Sequence, residues 1–125
     1  MNRKLARSAF VAAVAAGLAV TTTSAHASDM DSWSLELRAH AHFEDYGEIV
    51  TIEDTAKDGR SAVVQVRYSG TEYKTYWNPN GVNSVRTINL SIPEMDEVWI
   101  RACSGEYSGY RIYVEECGYW KGGRA

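Results

Sequence analysis

The stretch Trp33-Ser34-Leu35-Glu36-Leu37-Arg38-Ala39-His40-Ala41-His42-Phe43 alternates apolar and polar residues without a break. A period of two is typical of a β-strand with one buried face and one face in water. A helix would put Leu35 and Leu37 on different sides and would give Trp33 and Phe43 no common face. The pattern therefore predicts a single strand over residues 33–43.

Six further segments are short and rich in Val, Ile, Thr or aromatic residues, as strands are: 48–53, 61–68, 73–77, 85–92, 98–103 and 110–116. Turn signals such as Asp58-Gly59 and Asn80-Gly81 separate them, because Gly and Asn permit a positive φ. Helical periodicity is absent after residue 27, and residues 28–31 are predicted to be a frayed arm. The spacing predicts an all-β fold, a small antiparallel β-sandwich of immunoglobulin-like type with about seven strands and one disulfide.

Within such a sandwich, apolar residues that share a parity along their strand should point into the core. This rule predicts the following inward residues: Trp33, Leu35, Leu37, Ala39, Ala41, Val64, Val66, Ile88, Leu90, Ile92, Val98 and Ile100. The opposite parity should face water.

Residues 1–27 have the three parts of a cleavable signal peptide. A basic head with Arg3, Lys4 and Arg7 leads into an apolar run over 9–20, and Ala25-His26-Ala27 is a small-x-small cleavage site. An apolar run of about a dozen residues is too short to span a hydrocarbon core of roughly 30 Å. The sequence therefore predicts a secreted, extracellular mature domain over residues 28–125, without a lipid or membrane anchor.

The charge of the predicted mature domain limits its partners. The whole chain has 13 Lys and Arg against 16 Asp and Glu, and cleavage removes three basic residues, which leaves a formal charge of −6. An acidic domain repels phosphate backbones and anionic lipid surfaces, so neither nucleic acid nor a membrane is expected as a partner. The length fits one domain with one modest core.

Cys103 and Cys117 are the two cysteines of the chain, and both lie in the part predicted to be exported. An oxidising environment lets disulfides persist, so the two are predicted to pair. They are too close in sequence to link two sheets as the immunoglobulin disulfide does. The bridge is instead expected to join the last two predicted strands.

Several segments resemble a group of small exported actinobacterial proteins: Gly47-Glu48-Ile49-Val50-Thr51-Ile52, Asp54-Thr55, Asp58-Gly59-Arg60-Ser61, Leu90-Ser91-Ile92-Pro93-Glu94 and Trp99-Ile100-Arg101-Ala102-Cys103. The resemblance covers most of the mature chain. It implies a β-sandwich-like fold and an extracellular compartment, but no reaction, and it assigns no functional residue.

His40 and His42 are the histidines that remain after cleavage, and their spacing on a strand points both to one face. Two imidazoles could begin a zinc site, but its further ligands would have to be carboxylates such as Glu36 or Glu44. A polar outer face explains the two histidines more simply. We therefore expect neither a metal nor another cofactor.

The sequence contains no pattern typical of an enzyme active site. Ser69 and Ser108 each precede a glycine, yet neither lies in a G-x-S-x-G motif. Acidic pairs such as Asp54 with Asp58 are expected by chance among 16 carboxylates, and a domain this small has little room for a glycosidase cleft. The chain is therefore predicted not to be an enzyme.

Aromatic residues cluster near the predicted turns: Tyr73, Tyr76 and Trp77 precede one turn, and Tyr107 and Tyr110 lie in another. Exposed Tyr and Trp side chains are favoured anchors of recognition surfaces, because they combine rigid area with a polar group. These five residues are the predicted ligand-binding surface. The alternative is that their rings only cap the ends of a small core.

Together these observations predict a secreted, non-catalytic binding protein. The first hypothesis is a cell-envelope or polysaccharide-binding module. The alternative is a proteinaceous inhibitor of an extracellular hydrolase, whose partner would be an extracellular protein. A third hypothesis is a weak metal-binding or structural surface protein that uses His40 and His42.

Overall fold

The computed structural model describes residues 29–70, 72–108 and 110–125, so the predicted signal peptide over residues 1–27 lies outside the described residues. These ranges form nine strands: β1 (Met30–Trp33), β2 (Ala39–Glu44), β3 (Ile49–Asp54), β4 (Ser61–Tyr68), β5 (Lys74–Asn78), β6 (Val85–Asn89), β7 (Glu97–Ser108), β8 (Arg111–Cys117) and β9 (Lys121–Arg124). No helix long and apolar enough to cross a membrane occurs in these ranges.

The strands form two antiparallel sheets. One sheet has the order β1-β2-β3-β6, and the other has the order β5-β4-β7-β8 with β9 also paired to β7. The predicted all-β antiparallel fold is confirmed, with nine strands in the described ranges rather than about seven. In an immunoglobulin domain the second and third strands lie in different sheets, whereas β2 and β3 are neighbours in one sheet here.

The two sheets pack face to face over one apolar core. Phe43, Val50 and Ile52 enter it from the four-stranded sheet, and Val66 and Ile100 enter it from the five-stranded sheet. The following predicted inward residues are confirmed as buried: Ala39, Ala41, Val64, Val66, Ile88, Ile92, Val98 and Ile100. Leu90 is partly buried against the same core.

The predicted strand over residues 33–43 is wrong in its first half. The chain turns between β1 and β2, where the Ser34 hydroxyl oxygen accepts the backbone N–H groups of Arg38 at 2.9 Å and of Ala39 at 3.2 Å. Leu35 and Leu37 lie on this turn and are 61% and 62% exposed. Trp33 is 45% exposed, so the prediction that Trp33, Leu35 and Leu37 point inward is also wrong.

Two strands were not predicted because their sequences have low β propensity. Met30 begins β1, pairs with Phe43 and is buried, which corrects the predicted frayed arm. Strand β9 contains Gly122 and Gly123, and a Cβ on them would overlap the ring of Trp99 and the side chain of Met30 respectively. Tertiary contacts, not local preference, therefore hold both strands.

Cys103 and Cys117 form the predicted disulfide and lie opposite each other in the β7–β8 ladder. Beyond them the ladder shifts its register between Ser104 and Gly105. A Cβ on Gly105 would overlap the backbone of Tyr113, so the two strands approach closely at this bulge. We call residues 105–108 and 110–114, which extend past the bulge, the β7–β8 arm.

Candidate functional site

The outer face of the five-stranded sheet carries side chains whose parity is opposite to that of the core. On β4 these are Val63, Gln65 and Arg67, and their partners on β7 are Cys103, Arg101 and Trp99 respectively. On β5, Thr75 lies opposite Gln65 and Trp77 lies opposite Val63. Because side chains alternate between faces along a strand, all of these point away from the core.

The β7–β8 arm folds back over this outer face. Val63 and Gln65 are only 0% and 4% exposed although they point away from the core. The arm residues Ile112 and Val114 line one open cavity of about 700 Å³ together with Gln65 and other outer-face residues. We call this cavity the groove; its lining residues are Gln65, Tyr73, Thr75, Arg101, Tyr110, Ile112, Val114, Glu115 and Cys117.

At the base of the groove an arginine lies beside two aromatic rings, whose centroids are 6.1 Å apart. The guanidinium carbon of Arg101 lies 4.6 Å from the ring centroid of Trp120 and 5.9 Å from that of Tyr73. The Arg101 Nε donates a hydrogen bond to Gln65 Oε1 at 2.6 Å, and Gln65 Nε2 donates to Thr75 Oγ1 at 3.4 Å. The guanidinium is therefore fixed in orientation before any ligand arrives.

Two further open cavities adjoin the groove. One of about 340 Å³ is lined by Arg67, Glu97, Trp99 and Trp120. Another of about 610 Å³ is lined by Arg67, Gly70, Glu72 and Tyr73. Tyr73 lines both the groove and the cavity of about 610 Å³, and Arg67 lines both that cavity and the one of about 340 Å³; we call the three together the extended concave surface.

Side chains on this surface can hold a ligand in two ways. Aromatic rings offer flat apolar faces, of which Tyr73 is 51% exposed and Trp99 is 39% exposed. Arg67 and Arg101 supply cationic hydrogen-bond donors, and within the described residues neither forms an ion pair with a carboxylate. The surface can therefore stack on a flat ring and hydrogen-bond to groups at its edge.

The structure places four of the five predicted ligand-binding residues in two separate pairs. Tyr73 and Tyr110 both line the groove. Trp77 and Tyr107 stack on each other with 4.2 Å between ring centroids. Tyr76 lies opposite Val64 on the other side of the sheet and packs against the core, so it is not part of this surface.

Sequence reasoning missed Arg67, Trp99 and Arg101, and it noted the aromatic pair Tyr119-Trp120 near the tail without including Trp120 in the predicted ligand-binding residues. The signal for the first three was present, because they have the parity opposite to buried Val66, Val98 and Ile100 in their strands. Trp120 could not be placed, since it precedes β9 and reaches Arg101 only through tertiary packing.

His40 and His42 lie on the outer face of the other sheet. Asp31 Oδ1 lies 2.7 Å from His40 Nε2 and 2.9 Å from His42 Nδ1, and the ring of Trp33 stacks on that of His40. Among residues 29–70, 72–108 and 110–125, no three His, Cys, Asp or Glu side chains are arranged to hold a metal ion. The three side chains instead form a polar cluster that joins β1 to β2.

Comparison with known proteins gives no match to any family model, curated protein or solved structure. The function proposed below therefore depends on the geometry of the extended concave surface.

Proposed function

We propose that this chain is a secreted, non-catalytic binding protein whose groove holds a polysaccharide, such as one of the cell envelope. The observation that carries the proposal is the position of Arg101 beside the ring of Tyr73, which lines the groove, and the ring of Trp120, which lines a neighbouring cavity. Aromatic faces stack on the apolar faces of sugar rings, while fixed polar groups select their orientation. The groove offers both.

The rigidity of the groove supports a binding role. Its floor consists of hydrogen-bonded strands, and the disulfide Cys103–Cys117 joins the two strands at the base of the arm. Gln65 is almost fully buried and holds Arg101 by a hydrogen bond. Binding to a surface that is already ordered loses less conformational entropy, which favours affinity.

Secretion is part of the proposal. A disulfide is consistent with an oxidising, extracellular compartment. The basic head, short apolar run and small-x-small site of residues 1–27 support export by a signal peptide. Expression of the full chain in a secreting host, followed by mass spectrometry of the medium, should recover a product that begins at Ser28.

Retention on immobilised polysaccharides tests the binding role. We expect the mature protein to be retarded on at least one envelope or plant polysaccharide, and Tyr73→Ala and Trp120→Ala to abolish most of that retardation. Tyr46→Ala is the matched control, because Tyr46 is 87% exposed and lies outside the groove, on the β2–β3 turn. Circular dichroism should show that all three variants fold.

Equal retardation of Tyr73→Ala, Trp120→Ala and Tyr46→Ala would overturn the assignment of the groove. If the wild type is not retarded on any polysaccharide, the proposal that the ligand is a polysaccharide is overturned.

A second candidate function is inhibition of an extracellular hydrolase, and the observation that favours it is the exposed β1–β2 turn. The β1–β2 turn presents Leu35 and Leu37 to solvent, each more than half exposed. Protruding apolar side chains of this kind can fill a specificity pocket of a partner protein. This candidate predicts a stoichiometric loss of a secreted protease or amylase activity that Leu35→Asp abolishes and Trp120→Ala does not.

A further inference from the structure

The guanidinium of Arg101 is held from one side only. Its Nε is used by Gln65 Oε1, and Trp120 and Tyr73 flank it, but its two Nη atoms form no hydrogen bond or ion pair with the described residues. In four other arginines, Arg38, Arg60, Arg86 and Arg124, an Nη atom has a protein acceptor. Arg67, on the same outer face, forms no ion pair among the described residues, as Arg101 does not. The two Nη atoms of Arg101 are thus available as hydrogen-bond donors to a ligand.

The charge around this donor edge is locally positive. Glu115 is the only carboxylate among the lining residues of the groove, and it forms an ion pair with Arg60. Glu72 and Glu97 line the neighbouring cavities beside Arg67 rather than the groove itself. Arg101 is therefore an uncompensated cation in a chain whose formal net charge is −3.

A guanidinium that is fixed by one hydrogen bond and flanked by aromatic rings matches a planar anion well. Two parallel N–H groups can donate to both oxygens of a carboxylate, or to two oxygens of a phosphate. Such charge-assisted bonds are roughly twice as strong as neutral ones. The surrounding rings would exclude water from the pair and so strengthen it.

We propose that the groove selects anionic glycans, with a carboxylate or phosphate of the ligand bound to the Arg101 Nη atoms while a neighbouring sugar ring stacks on Tyr73 or Trp120. This inference rests on the proposed polysaccharide-binding function and narrows it to one ligand class. The acidic residues of the rest of the domain do little to repel an anionic ligand in the groove, because surface charges farther than a Debye length of about 10 Å are screened at ordinary salt.

Polygalacturonate and its fully methyl-esterified form test the proposal, because they share a backbone and differ in charge. We expect the wild type to bind polygalacturonate at least about tenfold more tightly than the ester in isothermal titration, as one charge-assisted bond predicts. Affinity for polygalacturonate should fall as salt rises, and affinity for the ester should not. Polyglycerol phosphate, measured in parallel, distinguishes a phosphate-bearing ligand from a carboxylate-bearing one.

Arg101→Gln should remove the preference for the acidic polymer, so that its affinity for polygalacturonate falls to about its affinity for the ester. Arg101→Lys should keep the salt dependence but recover only part of the affinity, because an ammonium cannot donate in two parallel bonds. Lys57→Gln is the control for net charge, since Lys57 is exposed and lines a separate cavity. It should behave as the wild type.

The outcomes separate the two proposals. Equal affinity of the wild type for the acidic polymers and the ester, or an unchanged preference in Arg101→Gln, overturns the anionic selection and leaves polysaccharide binding intact. Failure to bind any of the three polymers, together with no retardation on the wider polysaccharide set, overturns the proposed function itself.

Discussion

The ring of Trp77 lies parallel to the ring of Tyr107, with 4.2 Å between centroids and 8° between planes. Trp77 belongs to β5 at the edge of the five-stranded sheet, and Tyr107 belongs to the β7–β8 arm. The stack therefore joins the arm to that edge across β4. It also explains why Val63, which neighbours Trp77 on the outer face, is fully buried.

This stack should couple the arm to the sheet energetically. We expect Trp77→Ala and Tyr107→Ala each to lower the free energy of unfolding, and the double variant to lose about 1 kcal/mol less than the sum of the two losses, because both singles break the same contact. Urea denaturation of the four proteins gives the coupling energy. Tyr113→Ala, on the far side of the arm, should show no coupling with Trp77→Ala; strictly additive losses for Trp77 and Tyr107 would contradict the prediction.

The disulfide Cys103–Cys117 should stabilise the fold by restricting the unfolded chain. It spans a sequence separation of 14, and a loop of that size corresponds to about 3 kcal/mol in the chain-entropy model. The Cys103→Ser, Cys117→Ser double variant should therefore unfold at a clearly lower urea concentration. Adding a thiol reductant to the wild type should reproduce the shift and should leave the double variant unchanged. If the reductant also destabilises the double variant, which has no disulfide, the shift cannot be assigned to loss of the disulfide.

The period-two rule located part of the core, because it depends only on alternation, but the list drawn from it left out the buried residues Phe43, Val50 and Ile52. Val64 and Val66 in β4, and Val98 and Ile100 in β7, share a parity with apolar neighbours in their strands, so they were assigned to the correct face. Between residues 34 and 38 the same alternation continues through a turn. There the Ser34 hydroxyl competes with the strand ladder for backbone N–H groups, and periodicity carries no information about that competition.

The candidate site was less predictable because an arm that folds back creates it. Parity alone places Arg101 and Trp99 on one face, but it does not reveal that the arm beyond the register shift at Gly105 lines a cavity together with Arg101. Tyr76 was grouped with exposed aromatic residues near a turn, whereas in the structure it lies opposite Val64 and packs against the core. The sequence therefore identified the aromatic residues, but only the tertiary structure shows which of them lie on the outer face and which pack against the core.

Leu37 has a φ of 56°, in the left-handed region that L-residues with a Cβ avoid. Asn tolerates that region better, so Leu37→Asn should raise the free energy of unfolding by about 1 kcal/mol. Leu35→Asn is the matched control, because Leu35 is almost equally exposed and does not have a positive φ. Thermal unfolding should show a higher Tm for Leu37→Asn alone; an equal change in both variants would trace the effect to lost apolar surface instead.

The cluster of Asp31, His40 and His42 should make stability depend on pH in the acid range. Partial burial raises the pKa of Asp31, but hydrogen bonds and charge interactions with His42 and His40 outweigh it, so the net pKa lies below the ordinary value of 3.8. Two other carboxylates lie within 4 Å of these imidazoles: Asp29, just before β1, is close to His42, and Glu53, on β3, is close to His40.

Because the pKa of Asp31 is lower in the folded chain than in the unfolded chain, its ionised form favours folding above pH 3.8, and that contribution disappears as the pH falls through the folded-state value. Asp31→Asn should therefore be less stable than the wild type at pH 5, and the difference should shrink as the pH falls below 3.8 and through the lower folded-state pKa. Glu94→Gln, an exposed carboxylate without an ion pair in the described ranges, should show no such pH dependence. Urea denaturation across this pH range measures the difference directly, and a gap between Asp31→Asn and the wild type that widens on acidification would reverse the assigned sign.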